Sequence, residues 1–298
     1  MTRIIAITVL FAFGVVSTAR AQYVYTPPVY SPLQAITSDV EFQGRVNSVV
    51  SDPETPDPDL QATNDREPRV SLTFASDERR TIANFETFVA RTRSENPDGA
   101  EELRALLISQ PKVIDQMGSV MRRYGLDPYN VADAYALWWA SAWMAAATYH
   151  DEPTVQSIAA VRDQARAAFG ATADFANVGD ADRQQYAEAL IVQSALLNSS
   201  LEQVKGNAEQ ERALSQAAKQ GALASGLNLD TMVLTEQGFV PREGADASDA
   251  LPGSAENEAL ASADNAEAGD AMLYAGLAAV VAAGLGGAYA LGKKSAKG

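Results

Sequence analysis

The sequence predicts an all-α protein, a compact bundle of about seven helices with at most a minor strand pair, followed by a C-terminal transmembrane helix. Three observations support this prediction. Between residues 77 and 226, apolar side chains recur every three or four positions, which is the period of an amphipathic helix. Capping residues and prolines divide this region into short segments. Residues 271–291 contain no charged side chain and are long enough to cross a bilayer.

The predicted helical region extends over residues 77–241 and contains one uninterrupted apolar segment at its centre. The predicted apolar faces are Ile82, Phe85, Val89 and Thr92; Leu103, Leu106 and Leu107; Ile114, Met117, Met121 and Tyr124; Val155, Ile158, Arg162, Ala165 and Phe169; and Tyr186, Leu190, Leu197, Leu201 and Val204. Asn130 and Asn207 are typical N-caps, and Gly125 and Gly226 are typical of helix ends.

The central apolar segment, residues 134–147 (AYALWWASAWMAAA), has two interpretations. It has fourteen uncharged residues, which is short for a membrane span, and its tryptophans lie in the middle instead of at the ends. Crossing the bilayer here would also force the C-terminal lysines outward, against the positive-inside tendency. We therefore interpret the segment as the central helix of the bundle, buried on most sides.

The segments around the helical region have different compositions. Residues 22–76 are a proline-rich, acidic leader. Because proline can neither continue a helix nor donate a hydrogen bond to a sheet, we predict that most of this leader is semi-extended. Within it, residues 40–50 and 69–74 are predicted to form short strands. Residues 231–240 (TMVLTEQGFV) also look extended, which allows for a minor strand pair.

The N-terminus has the pattern of a secretory signal peptide over residues 1–21. Arg3 supplies the positive charge, residues 4–16 the apolar stretch, and Ala19-Arg20-Ala21 the small-residue cleavage pattern. The apolar stretch is too short to span a bilayer. We therefore expect an exported mature chain that begins at Gln22.

The C-terminus is predicted to attach the domain to the inner membrane. Residues 242–270 are acidic and almost free of large apolar side chains, so we expect a disordered tether. Residues 271–291 are the predicted transmembrane helix, and residues 292–298 a basic cytoplasmic tail containing three lysines. The positive-inside tendency then places the domain in the periplasm and the C-terminus in the cytoplasm. One helix face carries small residues at four-residue spacing and is a candidate for weak helix–helix self-association: Ala275, Ala279, Ala283 and Gly287.

Composition excludes several classes of function. The chain has 298 residues, 47% of them hydrophobic, so it can bury one sizeable core. It has no cysteine, which excludes disulfides, thiol catalysis and thiolate metal sites. A formal net charge of −15 makes nucleic acid an unfavourable partner, because the phosphate backbone is also negative. We interpret the acidity as a solvated surface, with a site for basic partners or Ca²⁺ as the alternative.

Few residues stand out as functional candidates. Trp138, Trp139 and Trp143 form an aromatic patch that could line a sugar or peptide groove, although aromatic side chains in an apolar helix are usually core. His150, beside Asp151 and Glu152, is the only histidine, and we interpret it as a helix-end residue since no second histidine or cysteine completes a site. No catalytic residue, metal site or cofactor is predicted.

Short segments of the helical region also occur in a specific order and spacing. They are YGL at residues 124–126, NVADAY at 130–135, AVRDQ at 160–164, AEAL at 187–190 and LTEQGFV at 234–240. In this order they resemble a family of uncharacterised, signal-peptide-bearing proteobacterial proteins, over roughly residues 79–241. The resemblance implies an exported helical domain and brings no assigned activity, so no functional residue is carried over from it.

The sequence therefore favours a membrane-tethered periplasmic binding or structural module without catalytic activity, whose partner would be an envelope component. The alternative is a carboxylate-dependent cell-envelope hydrolase with an aromatic-lined groove, since glycoside hydrolysis needs only two carboxyl groups. With 38 acidic residues in the chain, spacing alone selects no such pair.

Overall fold

The computed structural model describes residues 40–51, 71–95, 97–108, 113–170, 172, 175 and 177–244. Within these ranges the protein is mostly helical, as predicted, with eight α-helices and one two-stranded sheet. The predicted signal peptide, transmembrane helix and basic tail lie outside the described residues, as does most of the leader and of the tether. None of the helices in the described ranges combines the length and apolar character that a bilayer span needs.

From residue 78 onward, the elements follow one another with short connections. The helices are α1 (Val40–Ser51), α2 (Glu78–Glu95), α3 (Pro97–Leu107), α4 (Val113–Arg123), α5 (Val131–Ala147), α6 (Val155–Gly170), α7 (Asp180–Val204) and α8 (Ala208–Ala224). A short 3₁₀ turn, Leu229–Thr231, leads into strands β1 (Met232–Thr235) and β2 (Gly238–Pro241). The strands form an antiparallel hairpin in which Met232 pairs with Pro241 and Thr235 with Gly238.

Helix α5 is the centre of the bundle and packs against α6, α7 and α8. All of its residues except Met144 and Ala147 are buried, which agrees with the interpretation of the apolar segment as a core helix. Its N-terminus is fixed by polar contacts. The Asn130 side chain accepts hydrogen bonds from the backbone N–H groups of Ala132 and Asp133, at 3.0 and 3.2 Å. Buried Asp133 accepts two hydrogen bonds of 2.7 Å from Arg166, which ties α5 to α6.

Residues 40–50 form a helix, so the prediction of a strand there is wrong. Phe42, Val46 and Val50 recur at four-residue steps, and all three are buried in the core as one face of α1. The surrounding prolines favoured an extended interpretation of this segment. Packing of the apolar face against the rest of the domain decides the conformation instead.

The second predicted strand, residues 69–74, is described from residue 71 and forms only an isolated bridge between Thr73 and Asn130. Two backbone hydrogen bonds flank the bridge, from Phe74 N to Tyr129 O at 3.1 Å and from Val131 N to Leu72 O at 2.9 Å. The segment therefore closes the start of α5 without adding to the sheet.

Two of the predicted apolar helix positions are exposed. Ile82 is 40% exposed, and the buried face of α2 consists of Phe85, Phe88, Val89 and Thr92. Val155, at the first residue of α6, is 56% exposed because the buried face of that helix begins at Ser157 and Ile158. Val155 lies in the first turn of α6, whereas Ile82 lies in the second turn of α2, at the edge of the buried face and next to buried Thr81.

The hairpin is fastened to the bundle by Gln164 of α6. Its Nε2 donates to the carbonyl oxygens of Val49 and Phe239, at 3.0 and 2.7 Å, and its Oε1 accepts from the Phe239 N–H at 2.9 Å. Gly238 allows this close approach. It has a φ of +88°, and a Cβ at this position would lie 2.5 Å from Gln164 Oε1 and 3.2 Å from the carbonyl carbon of Ala160.

The C-terminal boundary of the domain lies beyond Arg242. The backbone N–H of Arg242 donates to Thr231 O at 2.7 Å, and its Nε donates to Asp230 O at 2.7 Å. Arg242, which was predicted as the first residue of the tether, therefore belongs to the folded domain.

Candidate functional site

The three tryptophans of α5 lie in the core, with exposed fractions of 1, 0 and 6% for Trp138, Trp139 and Trp143. Trp139 stacks on Phe239 of the hairpin at a ring-centroid distance of 4.5 Å. Its Nε1 donates to the sulfur of Met232 at 3.2 Å, and Trp143 Nε1 donates to Met232 O at 3.1 Å. Trp139 and Trp143 hold the hairpin against α5, and all three tryptophans are too deeply buried to form the exposed lining of a groove.

The opposite face of α5 borders a cleft. Successive residues on a helix are separated by about 100°, so Leu137, Ser141 and Met144 point away from the tryptophans that face the hairpin. Together with α4, α7 and the connection after α5 they enclose a cavity of about 240 Å³. The apolar floor of the cleft is formed by Met117, Val120, Leu137, Met144, Ile158 and Leu201.

The connection between α5 and α6 forms one wall of the cleft. Thr148 follows the last residue of α5 in the left-handed conformation, with φ 49° and ψ 42°, and its N–H bonds back to the carbonyl oxygens of Met144 and Ala145. A β-branched residue rarely adopts this conformation, which costs of order 1–3 kcal/mol and tends to occur at functional positions. The sharp turn places the segment from His150 to Pro153 along the cleft.

The rim of the cleft is polar and is held in place by hydrogen bonds. The Tyr124 hydroxyl donates to Glu152 Oε1 at 2.6 Å and so joins the end of α4 to the connection. Burial, reinforced by the adjacent Glu152 carboxylate, raises the pKa of Tyr124. The phenol therefore remains a hydrogen-bond donor at neutral pH.

His150 lines the cleft and is oriented by Glu211 of α8. Its Nε2 lies 3.1 Å from Glu211 Oε1, which also accepts from the N–H of Gly206 at 2.9 Å. Because a carboxylate only accepts hydrogen bonds, Nε2 is the protonated ring nitrogen when the imidazole is neutral, and Nδ1 is then an acceptor. Nδ1 is buried and has no hydrogen-bond partner within the described residues.

The charges of the cleft are of one sign. Asp151, Glu152 and Glu202 line it, and none of the described lining residues is lysine or arginine. Two cations lie outside this lining: Lys205, whose Nζ is 4.0 Å from Glu202 Oε2 in an exposed i,i+3 pair, and Arg123, whose charge opposes the rise in the pKa of Tyr124. Exposed pairs of this kind interact weakly in water. The cleft thus combines an apolar floor with an acidic rim.

The sequence prediction of His150 as a helix-end residue is close, since it lies three residues beyond α5. Its neighbours Asp151 and Glu152 do not join it in a metal site. Within the described ranges, no group of three or more His, Cys, Asp or Glu side chains is arranged to hold a metal ion.

A second cluster of polar groups lies between α2 and α7, around Glu188. Glu188 Oε1 accepts from Thr81 Oγ1 at 2.6 Å and from Gln184 Nε2 at 2.8 Å, and its Oε2 accepts from Asn84 Nδ2 at 2.7 Å. Burial raises the pKa of Glu188 above its ordinary value of 4.5, and this outweighs the opposing effect of the three donors. With every partner supplied by the protein, this cluster is a structural link between the two helices.

The raised pKa of Glu188 predicts a pH dependence of stability. The native protein binds a proton at this site more tightly than the unfolded chain, so the contribution of Glu188 to stability falls as pH rises from 4.5 to the native pKa. Urea unfolding of the wild type and of Glu188→Gln, from about pH 4 to about pH 8, isolates this effect as the difference between them. We expect the free energy of unfolding of the wild type, minus that of Glu188→Gln, to decrease as pH rises and then to level off. An increase with pH would mean that the native site favours the carboxylate.

The residues of the cleft could not be identified from the sequence. Tyr124, the pair His150 and Glu152, and Glu202 come from three separate segments, and no local spacing connects these segments. The one local signal was the triplet of His150, Asp151 and Glu152. It attracts attention as an isolated charged segment after a long apolar helix, but it does not reveal the cleft.

Comparison with known proteins yields a family without an assigned activity. No protein with a curated description and no solved structure matches the chain significantly. Residues 2–242 match a family of unknown function, DUF6683. This range contains all of the segments that carry the resemblance described above and extends towards the N-terminus. Because the match covers most of its length, the chain belongs to the DUF6683 family.

Proposed function

We propose that this protein is a membrane-tethered periplasmic binding module without catalytic activity, and that it binds its ligand in the cleft between α4, α5 and α7. The observation that carries the proposal is the cleft itself, a concave site with an apolar floor and a few oriented polar groups at its rim. Sites for small ligands have this composition. The strained conformation of Thr148, which shapes one wall, gives further support.

The proposed location rests on the sequence at the two ends of the chain. Residues 1–21 would direct export, and residues 271–291 would hold the domain at the inner membrane with the C-terminus in the cytoplasm. The small-residue face of the membrane helix, with Ala275, Ala279, Ala283 and Gly287, would allow weak self-association. The cleft would then sample the periplasm next to the membrane surface.

Deleting residues 245–298 should release a folded domain from the membrane. The deletion retains Arg242 and its hydrogen bonds to the hairpin, so no described contact is lost. We expect the truncated protein in the soluble fraction, helical by circular dichroism and cooperatively unfolding. If it stays in the pellet after a carbonate wash, another segment holds the membrane. If it is soluble but unfolded, the deleted region is part of the fold and not a tether.

Filling the cleft should abolish binding of the natural ligand. Val120 is partly exposed on the floor, so Val120→Phe adds bulk within the cleft without overfilling the core. We expect native mass spectrometry of the full chain, purified gently from membranes, to detect a bound small molecule on the wild type and none on Val120→Phe. Val155→Phe is the matched control, because Val155 is exposed outside the cleft and the variant should retain the molecule. Equal occupancy in all three proteins would contradict the proposal.

The three carboxylates of the cleft support a second proposal, carboxylate-dependent hydrolysis of an envelope polymer. Asp151, Glu152 and Glu202 share one cavity with an apolar floor, an environment in which glycosidases pair an acid with a base. Release of soluble fragments from purified cell-wall polymer, lost in Glu152→Gln and Glu202→Gln, would favour this activity over simple binding. The absence of any release by the wild type would remove it.

A further inference from the structure

We propose that the ligand of the cleft is a small aliphatic amine, with its hydrocarbon chain on the apolar floor and its ammonium group at the acidic rim. This inference rests on the proposed function, in that it names the chemistry of the ligand for the same site. Three features of the cleft lead to it: its size, the sign of its charges and an acceptor that lacks a partner.

The size of the cleft favours a small molecule. Its volume of about 240 Å³ lies below the roughly 300–1,000 Å³ of sites that take drug-sized ligands. The floor contains Met117 and Met144, whose flexible, unbranched side chains adapt to the shape of an apolar guest. A short, unbranched hydrocarbon chain matches both properties.

The charges of the rim select a cation. Asp151, Glu152 and Glu202 surround the opening without a lysine or arginine among the described lining residues. The hydrogen bond from Tyr124 holds the Glu152 carboxylate in place before a ligand binds. Binding therefore avoids the entropy cost of ordering this side chain. The net charge of −15 on the whole chain also attracts cations and repels anions.

The unpartnered nitrogen of His150 indicates a ligand that donates hydrogen bonds. Glu211 engages Nε2, which leaves Nδ1 of this cleft-lining residue as an acceptor that is buried beneath the surface and has no partner among the described residues. Buried polar atoms are nearly always hydrogen-bonded, so this lone acceptor calls for a donor, which a ligand supplies when the imidazole ring turns towards the cavity. A primary ammonium group supplies up to three N–H donors together with the positive charge.

Binding of n-pentylamine to the full chain in a non-ionic detergent tests the proposal, with 1-pentanol and pentanoate as neutral and anionic analogues. Saturation-transfer NMR titrations suit weak ligands, and the Val120→Phe protein in the same detergent corrects for micelle binding. We expect the amine to bind about tenfold more tightly than the alcohol, since a charge-assisted hydrogen bond contributes this much or more. Pentanoate should not bind, and added salt should weaken binding of the amine.

Variants identify the groups responsible. The double variant Glu152→Gln and Glu202→Gln should weaken binding of pentylamine about tenfold while leaving that of pentanol unchanged. Both side chains are exposed, and a glutamine at position 152 still accepts from Tyr124, so the fold should be retained. Glu236→Gln, in the turn of the hairpin on the other side of α5, and Val155→Phe should bind like the wild type.

Equal binding of pentanol and pentylamine, both lost in Val120→Phe, would overturn the amine while leaving the cleft as the binding site. Failure of pentylamine to bind, with a different molecule found by native mass spectrometry, would do the same. Tighter binding of Nα-acetyl-lysine methylamide than of pentylamine would overturn the free amine in favour of a lysine side chain on a protein partner.

Discussion

Replacing Trp139 with alanine should lower the free energy of unfolding by about 3–5 kcal/mol, the usual cost of truncating a fully buried aromatic side chain. The indole is 0% exposed, stacks on Phe239 and donates to the sulfur of Met232, so its loss leaves a cavity between α5 and the hairpin. Urea denaturation followed by circular dichroism measures the effect without relying on tryptophan fluorescence.

Leu223→Ala is the control for this experiment. Leu223 lies on α8 and is 45% exposed, so its truncation should cost much less than that of Trp139. A loss below about 1 kcal/mol for Trp139→Ala would indicate that the indole does not lie in the core. It would also reopen the interpretation of the tryptophans as the floor of a groove.

Replacing Gln164 with leucine should cost about 2–5 kcal/mol, although leucine is the more hydrophobic residue. The substitution leaves the N–H and the carbonyl oxygen of Phe239 without the partner they have in the wild type, as well as the carbonyl oxygen of Val49. Each buried polar group that loses its partner costs about 1–3 kcal/mol, and the costs are not fully additive. The same denaturation experiment measures the loss.

Gln156→Leu is the matched control on the same helix. Gln156 is exposed, so this substitution should change stability by about 0.5 kcal/mol or less. If the two leucine variants were equally stable, Gln164 would not connect α1, α6 and the hairpin.

Gly238→Ala should also destabilise the hairpin, because its Cβ would collide with the Gln164 side chain.

The helices could be predicted wherever apolar periodicity and capping residues agree. Asn130 and Asn207 cap α5 and α8 as expected, and Gly125 and Gly226 adopt the left-handed conformation after α4 and α8. The segment of α1 was predicted incorrectly because the prolines around it favoured extended structure, whereas its helical face is stabilised by packing against distant residues.

The cleft could not be predicted, for a different physical reason. Its floor and rim depend on how α4 and α7 pack beside α5, and the apolar periods of helices do not specify which of their ends meet. The turn at Thr148 carries no glycine, so the sequence lacks the usual signal of a left-handed helix end. The tryptophans are the most conspicuous residues of α5 in the sequence, but they mark the face that holds the hairpin and not the face that borders the cleft.

Hydrogen–deuterium exchange of the full chain, with and without saturating n-pentylamine, tests most directly whether the cleft is the ligand site. We predict slower exchange in the connection at residues 148–153 and in the adjoining turns of α4 and α7, because a ligand in the cleft restrains the segments that enclose it. The hairpin at residues 232–241, on the other side of α5, should exchange at the same rate in both samples, and Val120→Phe should show no protection anywhere. Protection of the hairpin with unchanged exchange at residues 148–153 would contradict the assignment of the cleft.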